Sequence, residues 1–427
     1  MGGAARNRCL HGACGGQRIE KYAAKAILLV VKIIEKVDFM KIVFVSNYFN
    51  HHQKPFCEAL YRKVGDEFTF VSTSVMREER RKLGYADGDA PDYVLLAYAS
   101  DEQRSQAMKL INEADVVIAG SAPNDMLLPR IREGKLLLRY SERPYRVKPS
   151  FLKKIYHFFR LHQNDLWRKN VYMLCSGAYT ARDYASIGLY CSRAFRWGYF
   201  PEQKLYEIDK LLAEKQRKTI LWCGRFLPLK HPDDVIIIAK RLKEEGYRFS
   251  LQMIGLGEME EELKRLVLEY DLADSVSFLG SMPPEQVRRH MEQAGIYLFT
   301  SDSREGWGAV LNESMNSGCA VVASHAIGAV PCLIKDNENG LIYESGNVDM
   351  LCDKVRMLLD RPDEQARIGK AAYETICDEW NAETAAERFV CLSERLLSGE
   401  KAPELYESGP CSRAEVVFKE QIRTEQQ

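Results

Sequence analysis

From Met40 onward, short apolar runs alternate with amphipathic stretches. Ile42–Val45, Phe68–Val71, Tyr93–Leu96, Asp115–Ala119, Lys135–Arg139 and Val171–Leu174 read as buried strands, several followed by turn residues. A helical pattern over Pro55–Val64 lies between the first two. Strands separated by helices predict βαβ units and a parallel sheet across residues 40–200. A break falls at Gly198–Pro201 and in the charged stretch Glu207–Lys218, and a second alternating set follows. Its strands are Thr219–Trp222, Ser250–Ile254, Val276–Leu279, Ile296–Phe299 and Ala320–Ala323. Its helices are Asp233–Lys243, Glu258–Tyr270, Asp349–Leu359, Asp363–Cys377 and Asn381–Leu397.

The expected fold is α/β, with two Rossmann-like doubly wound domains in tandem facing a cleft. The boundaries are an extension at 1–39, an N-terminal acceptor-side domain at 40–200 and a C-terminal nucleotide-sugar domain at 201–380. A helix at 381–398 is expected to pack back toward the N-terminal domain, and 399–427 reads as a charged, mobile tail. In such sheets ligands bind beyond the carboxyl ends of the strands, so the cleft is the natural site. Two readings of the extension stay open: an upstream segment with Met40 as the natural start, or a basic amphipathic helix over Ile19–Val37 that touches a membrane surface.

Composition narrows the function classes. The chain has 427 residues, too many for one core. Sixty basic and sixty acidic residues cancel, which excludes a whole-chain nucleic-acid binder. No apolar run reaches the roughly 18 residues of a membrane span. Twelve cysteines are scattered without a CxxC pair, so structural zinc and dithiol redox chemistry are not expected. The chain reads as cytoplasmic.

Three strand-end motifs carry candidate chemistry. In the segment Ser301–Gly318, Gly306 and Gly308 let backbone approach a ligand, and the new helix favours an anion. Glu305 and Glu313 cannot hold phosphate but accept hydrogen bonds from sugar or ribose hydroxyls. Gly224, Arg225 and Lys230 follow another strand, and both cations suit phosphate oxygens. Gly255 and Gly257 form a GxG turn whose third fingerprint glycine is replaced by Glu260. Taken singly, the first two motifs also read as ordinary surface loops.

Together and in this order they resemble family 4 of the retaining GT-B glycosyltransferases. The likeness covers most of 40–398 in layout and is closest over 219–345, where Glu305 and Glu313 form a Glu-x7-Glu pair. It implies that Arg225 and Lys230 hold the diphosphate of a nucleotide sugar, with a UDP-sugar favoured. Glu305 then faces the donor sugar, Gly306–Trp307–Gly308 approach phosphates or sugar, and Glu313 binds ribose. It also implies no metal and no further cofactor. The departing phosphate takes the acceptor's proton in the front-face mechanism usually proposed.

The N-terminal half departs from that pattern. Asn47, His51 and His52 follow the first strand and are candidate donor or acceptor contacts. Where the family commonly has a histidine after a later strand, this chain has Ser141–Glu142–Arg143, which makes Glu142 a candidate contact. The stretch 148–169 interleaves Lys148, Lys153, Lys154, Arg160, Arg168 and Lys169 with six large apolar side chains. It reads either as a core-facing helix with a solvated basic side or as a peripheral contact with the inner face of the cell membrane.

The expected activity is transfer of a sugar from a nucleotide-diphosphate sugar to a glycan or lipid-linked acceptor, in polysaccharide or cell-envelope assembly. The alternatives are a catalytically silent sugar-nucleotide-binding scaffold and a sugar-nucleotide epimerase of the same fold.

Overall fold

Ile42–Ser46 is buried at every position, as a strand covered on both faces requires. It is the third of seven strands in the first of two parallel sheets. The computed structural model describes residues 40–76, 90–147, 149–165 and 170–415. The first sheet contains β1 (Ile42–Ser46), β2 (Phe68–Ser72), β3 (Val94–Leu96), β4 (Val116–Ala119), β5 (Leu137–Glu142), β6 (Val171–Ser176) and β7 (Ala194–Trp197). Their order is β3-β2-β1-β4-β5-β6-β7. The second contains β8 (Gln216–Cys223), β9 (Ser250–Ile254), β10 (Val276–Phe278), β11 (Ala294–Phe299), β12 (Ala320–Ser324) and β13 (Leu341–Tyr343). Their order is β10-β9-β8-β11-β12-β13.

All pairs within the two sheets are parallel. The strand order reverses at β1/β4 in the first sheet and at β8/β11 in the second. In doubly wound sheets the loops after such strands diverge, and the switch point is where a ligand crevice is expected.

Three sequence-based boundaries move. β5 runs on to Glu142, which pairs with Ser176 of β6, so Glu142 ends a strand instead of lying in a loop. β7 and β13 escaped the pattern because runs of three or four residues, one containing Arg196, are too short to show a period. The charged stretch Glu207–Lys218 becomes the helix Ile208–Glu214 and the start of β8.

The helix Ala382–Leu397 is capped by the Asn381 side chain, which accepts from the Thr384 N–H. It packs on the helix Lys54–Val64. The Phe389 ring lies 6.1 Å from Phe56 and from Trp197, and Arg62 pairs with Glu383. Physically, then, this helix belongs to the N-terminal lobe. The expectation of a loose tail is corrected for 399–415. The Arg196 N–H donates to Ser412 O (2.7 Å), and the Cys411 N–H donates to Arg196 O (2.8 Å). This antiparallel ladder covers the free edge of β7. Ile19–Val37, Lys148, Trp167, Arg168, Lys169 and 416–427 lie outside the described residues.

Candidate functional site

β8 and β11 are adjacent and parallel, so the loops that follow them leave the sheet side by side. The Lys230 and Glu305 side chains meet there as an ion pair, both largely shielded. Each loop is anchored before it reaches this contact. The Trp222 indole N–H donates to Thr300 Oγ1 (2.9 Å), and Thr300 Oγ1 donates to Lys230 O (2.6 Å). The Asp302 N–H donates to Leu229 O (2.9 Å). Residues 70 or more apart in sequence are thereby fixed to one another. Lys230 also lies over the Phe299 ring at 5.9 Å.

Arg225 is exposed on the same rim. Among the described residues no side-chain hydrogen bond or ion pair engages it, so its guanidinium fork is available. Glu313 lies on the helix Val310–Asn316 behind the β11 loop. No described side chain hydrogen-bonds its carboxylate, and burial raises its pKa, with Arg288 pulling the other way. Cys223 reports the same neighbourhood: burial and Glu313 push its thiol up to about 12, while Lys230 opposes them.

The GxG turn serves the backbone. Gly255 has φ +141°, and a β-carbon there would lie 1.8 Å from Gly224 O. At Gly257 it would meet Phe226 backbone at 2.4 Å. The two glycines let the β9 loop lie flat beneath the loop carrying Arg225. Gly224 N–H donates to Ile254 O (3.0 Å) in the same contact. These glycines therefore support the Arg225 loop from below.

The Glu305–Gly308 turn lies between the lobes. Gly308 has φ +88°, with the Phe299 ring where a side chain would start. Trp307 points away from the crevice. It is fully buried, donates from its indole N–H to Asn312 Oδ1 (2.9 Å), and has Gly198 packed on its ring. Its side chain is an anchor, which leaves the backbone of Gly306–Gly308 for the expected approach to a ligand. Gly306 faces the other lobe, and a β-carbon there would stand 2.1 Å from Glu142 Oε2.

Glu142 is held in that position. Tyr199 Oη donates to its Oε1 (2.7 Å) and Arg146 Nη2 to its Oε2 (3.0 Å). The Tyr199 ring in turn stacks on His52 at 5.5 Å with an 11° tilt. His51 and His52 are half-buried, with ring centroids 3.7 Å apart. Asn47, half-buried, accepts at Oδ1 from the Tyr48 N–H and Ser46 Oγ, and its carbonyl accepts from Ser74. It shapes the loop after β1. The site residues thus form two groups, Lys230–Glu305–Arg225–Glu313 on the C-terminal lobe and Glu142–Tyr199–His52 on the N-terminal lobe. They meet at Gly306.

Sequence reasoning missed three contributors. Arg143 forms a buried pair with Asp183 (3.1 Å) and donates to Ser303 O in the opposite lobe (3.2 Å). Tyr179 Oη donates to His325 O (2.5 Å) across the same divide. Tyr199 orients Glu142. Tyr199 stands in the Gly198–Pro201 junction, where its aromatic ring beside a glycine was the available signal. Arg143 and Tyr179 carried none.

His231, Asp233 and Asp234 bring possible metal-donor atoms within 4.8 Å of one another. His231 instead lies 3.3 Å from Asp302 Oδ2, and the two aspartates occupy a helix first turn, where the macrodipole favours acids.

Residues 204–375 match the family model described as Glycosyl transferases group 1. Amylovoran biosynthesis glycosyltransferase AmsK of Erwinia amylovora is 29% identical over 206 residues, covering 47% of this chain and 50% of that protein. A GDP-mannose-dependent alpha-(1-6)-phosphatidylinositol monomannoside mannosyltransferase of Mycobacterium tuberculosis is 26% identical over 186 residues, covering 42% and 48%. The chain spans about half the length of the curated relatives it matches. Among solved structures, Anabaena Alr3699/HepE in complex with UDP superposes with TM-score 0.61 at 14% identity, over 84% of this chain and all of that one. With the two switch-point sheets, the matched segment leads to one conclusion: residues 204–375 form a domain that matches the group 1 glycosyl transferases, and the fold of the chain is GT-B.

Proposed function

We propose that the chain transfers a sugar from a nucleoside-diphosphate sugar to a glycan or lipid-linked acceptor, with retention and without a metal. The observation that carries this reading is the pairing of Lys230 with Glu305 beside an unengaged Arg225, at the β8/β11 switch point. Arg225 and Lys230 take the diphosphate, which draws Lys230 from Glu305 toward phosphate oxygen. Glu305, freed, accepts from hydroxyls of the donor sugar. Glu313 takes ribose hydroxyls, donors that its desolvated carboxylate otherwise lacks.

In the reaction the bond from the anomeric carbon to phosphate oxygen breaks, and a bond from that carbon to the acceptor oxygen forms on the same face. The acceptor proton passes to the departing phosphate, which leaves as nucleoside diphosphate. Cationic side chains stabilise the developing charge. Glu142, at the opposite wall, contacts donor or acceptor hydroxyls.

The relatives support a nucleotide-sugar donor. The mycobacterial relative is named for GDP-mannose, whereas the Anabaena protein was solved with UDP. We favour a UDP-sugar. A role in envelope or polysaccharide assembly follows from the names of the relatives. In this reading the chain acts in the cytoplasm at the inner face of the membrane. No described helix is long and apolar enough to cross it, and every described cysteine is a free thiol.

The test is thermal stability with UDP, GDP and ADP, on the parent and Arg225→Ala. Ligand at 100 times its Kd stabilises by about 2.7 kcal/mol. One nucleotide should raise Tm, and the variant should lose the rise. Donor turnover in EDTA, with the product anomer read by NMR, checks the metal-free and retaining parts. A nucleotide shift without turnover would give the silent scaffold instead.

A further inference from the structure

The helix Phe151–Asp165 turns its apolar side outward. Phe151 and Leu152 are each 76% exposed, Phe159 62%, and Val147 just before the helix 70%. Seven of the thirteen exposed large apolar side chains among the described residues fall within Val147–Phe159. The less exposed positions are Lys154, His157 and Leu161, a 3.6-period set that faces the protein. His157 stacks on Tyr145 at 5.3 Å. This inverts the ordinary surface helix, which hides its apolar stripe and shows its charges.

The charge is predominantly basic as well. From Arg143 to Asp165 the chain carries six Lys or Arg against one acid, Asp165, at the last position of the helix. Arg143 and Arg146 are committed to Asp183 and Glu142, which leaves Lys153 and Arg160 exposed among the aromatics. The helix is about 22 Å long. It does not span a bilayer, but it can lie along one.

We propose that this helix docks the chain on an anionic lipid bilayer. Phe151, Leu152, Ile155 and Phe159 enter the acyl boundary, Tyr156 sits at headgroup level, and Lys153 and Arg160 reach phosphate groups. The charge pattern selects this occupant: apolar side chains supply insertion, and a basic excess, with Asp165 alone at the far end, complements an anionic surface. The helix starts nine residues after Glu142, so docking holds the cleft within about 30 Å of the headgroups. A lipid-linked acceptor then presents itself to Glu142 without leaving the membrane. That last consequence rests on the transfer reading above; the docking does not.

The full chain is floated with phosphatidylcholine vesicles and with phosphatidylcholine–phosphatidylglycerol vesicles, without nucleotide. It should rise with the anionic vesicles and be released by high salt. Phe151→Ser/Leu152→Ser/Phe159→Ser should weaken partition about tenfold or more. Lys153→Gln/Arg160→Gln should weaken it on anionic vesicles by a similar factor. Both variants should keep the parent's circular dichroism and nucleotide response, because the changed residues are exposed. A parent that stays with the soluble fraction, or variants that float like it, overturns the proposal. So does a dimer that the triple variant dissolves and that does not float, which would assign the face to a second copy. The nucleotide response is read separately, so failure there touches the transfer reading alone.

Discussion

The carboxylate of Glu142, at the end of β5, stands against the Cα of Gly306 in the opposite lobe. A β-carbon on Gly306 would lie 2.1 Å from Glu142 Oε2 and 2.4 Å from its Cδ. The carboxylate has little room to retreat, because Tyr199 and Arg146 hold its two oxygens. Gly306→Ala should therefore destabilise the chain by about 1–2 kcal/mol, an overpacking cost. Glu142→Ala in the same chain should recover most of that loss. A double-mutant cycle in urea reads the coupling, and additive costs would refute the contact.

Gly255 has no such relief. Its clash partner is the Gly224 carbonyl, and its φ of +141° disfavours any L side chain. Gly255→Ala should cost about 3 kcal/mol or more, since backbone must move. Thermal unfolding of the two glycine variants should rank Gly255→Ala well below Gly306→Ala.

The Lys230–Glu305 pair should behave in the opposite way. Both groups keep some solvent contact, so Lys230→Ala or Glu305→Ala should cost only about 1 kcal/mol of stability. Sugar transfer should fall about 100-fold or more, because each removes charge complementarity to the reacting donor. Steady-state kinetics beside a melting curve separates the effects. Rates equal to the parent's would remove both residues from the site.

Glu313 predicts a pH dependence. Its folded pKa is raised above the ordinary carboxylate value of 4.5 by burial. Below that value both states hold the proton and ionisation costs nothing. As pH rises through the raised folded value, the native state must ionise a desolvated group, and stability falls. Glu313→Gln should flatten this fall and be more stable than the parent at neutral pH. Hydroxyl donors favour the ionised form, so nucleotide binding should strengthen as pH rises from acid toward neutral in the parent alone. Calorimetric titration across that range reads both. A parent and variant with identical pH profiles would refute the assignment.

Much of the C-terminal half was legible as sequence. Buried strands such as Ala320–Ser324 and Ile296–Phe299 announce themselves because a strand covered on both faces is apolar at every position. The motif residues stand at strand ends, where glycine, charge and turn chemistry change together. Lys230 and Glu305 could be nominated from local pattern for that reason. The alternation of strands and helices likewise dictated two doubly wound domains.

Distance along the chain hid the rest. Nothing local to Arg143 foretells Asp183, 40 residues on, or the Ser303 carbonyl, 160 residues on. The backbone of Gly306–Gly308 reads as a ligand contact from its loop alone; the burial of the Trp307 side chain against Gly198 and Asn312 comes from a packing contact that no periodicity encodes. The segment 399–415 read as loose because it is charged, yet backbone hydrogen bonds to the edge of β7 hold its Cys411–Ala414 end, and these are indifferent to side-chain type. The amphipathic period of Phe151–Asp165 is explicit in the sequence, but its outward direction depends on what packs beneath it. Local chemistry writes the elements and the charged groups at their ends; which groups face one another is set by packing between segments far apart in the chain.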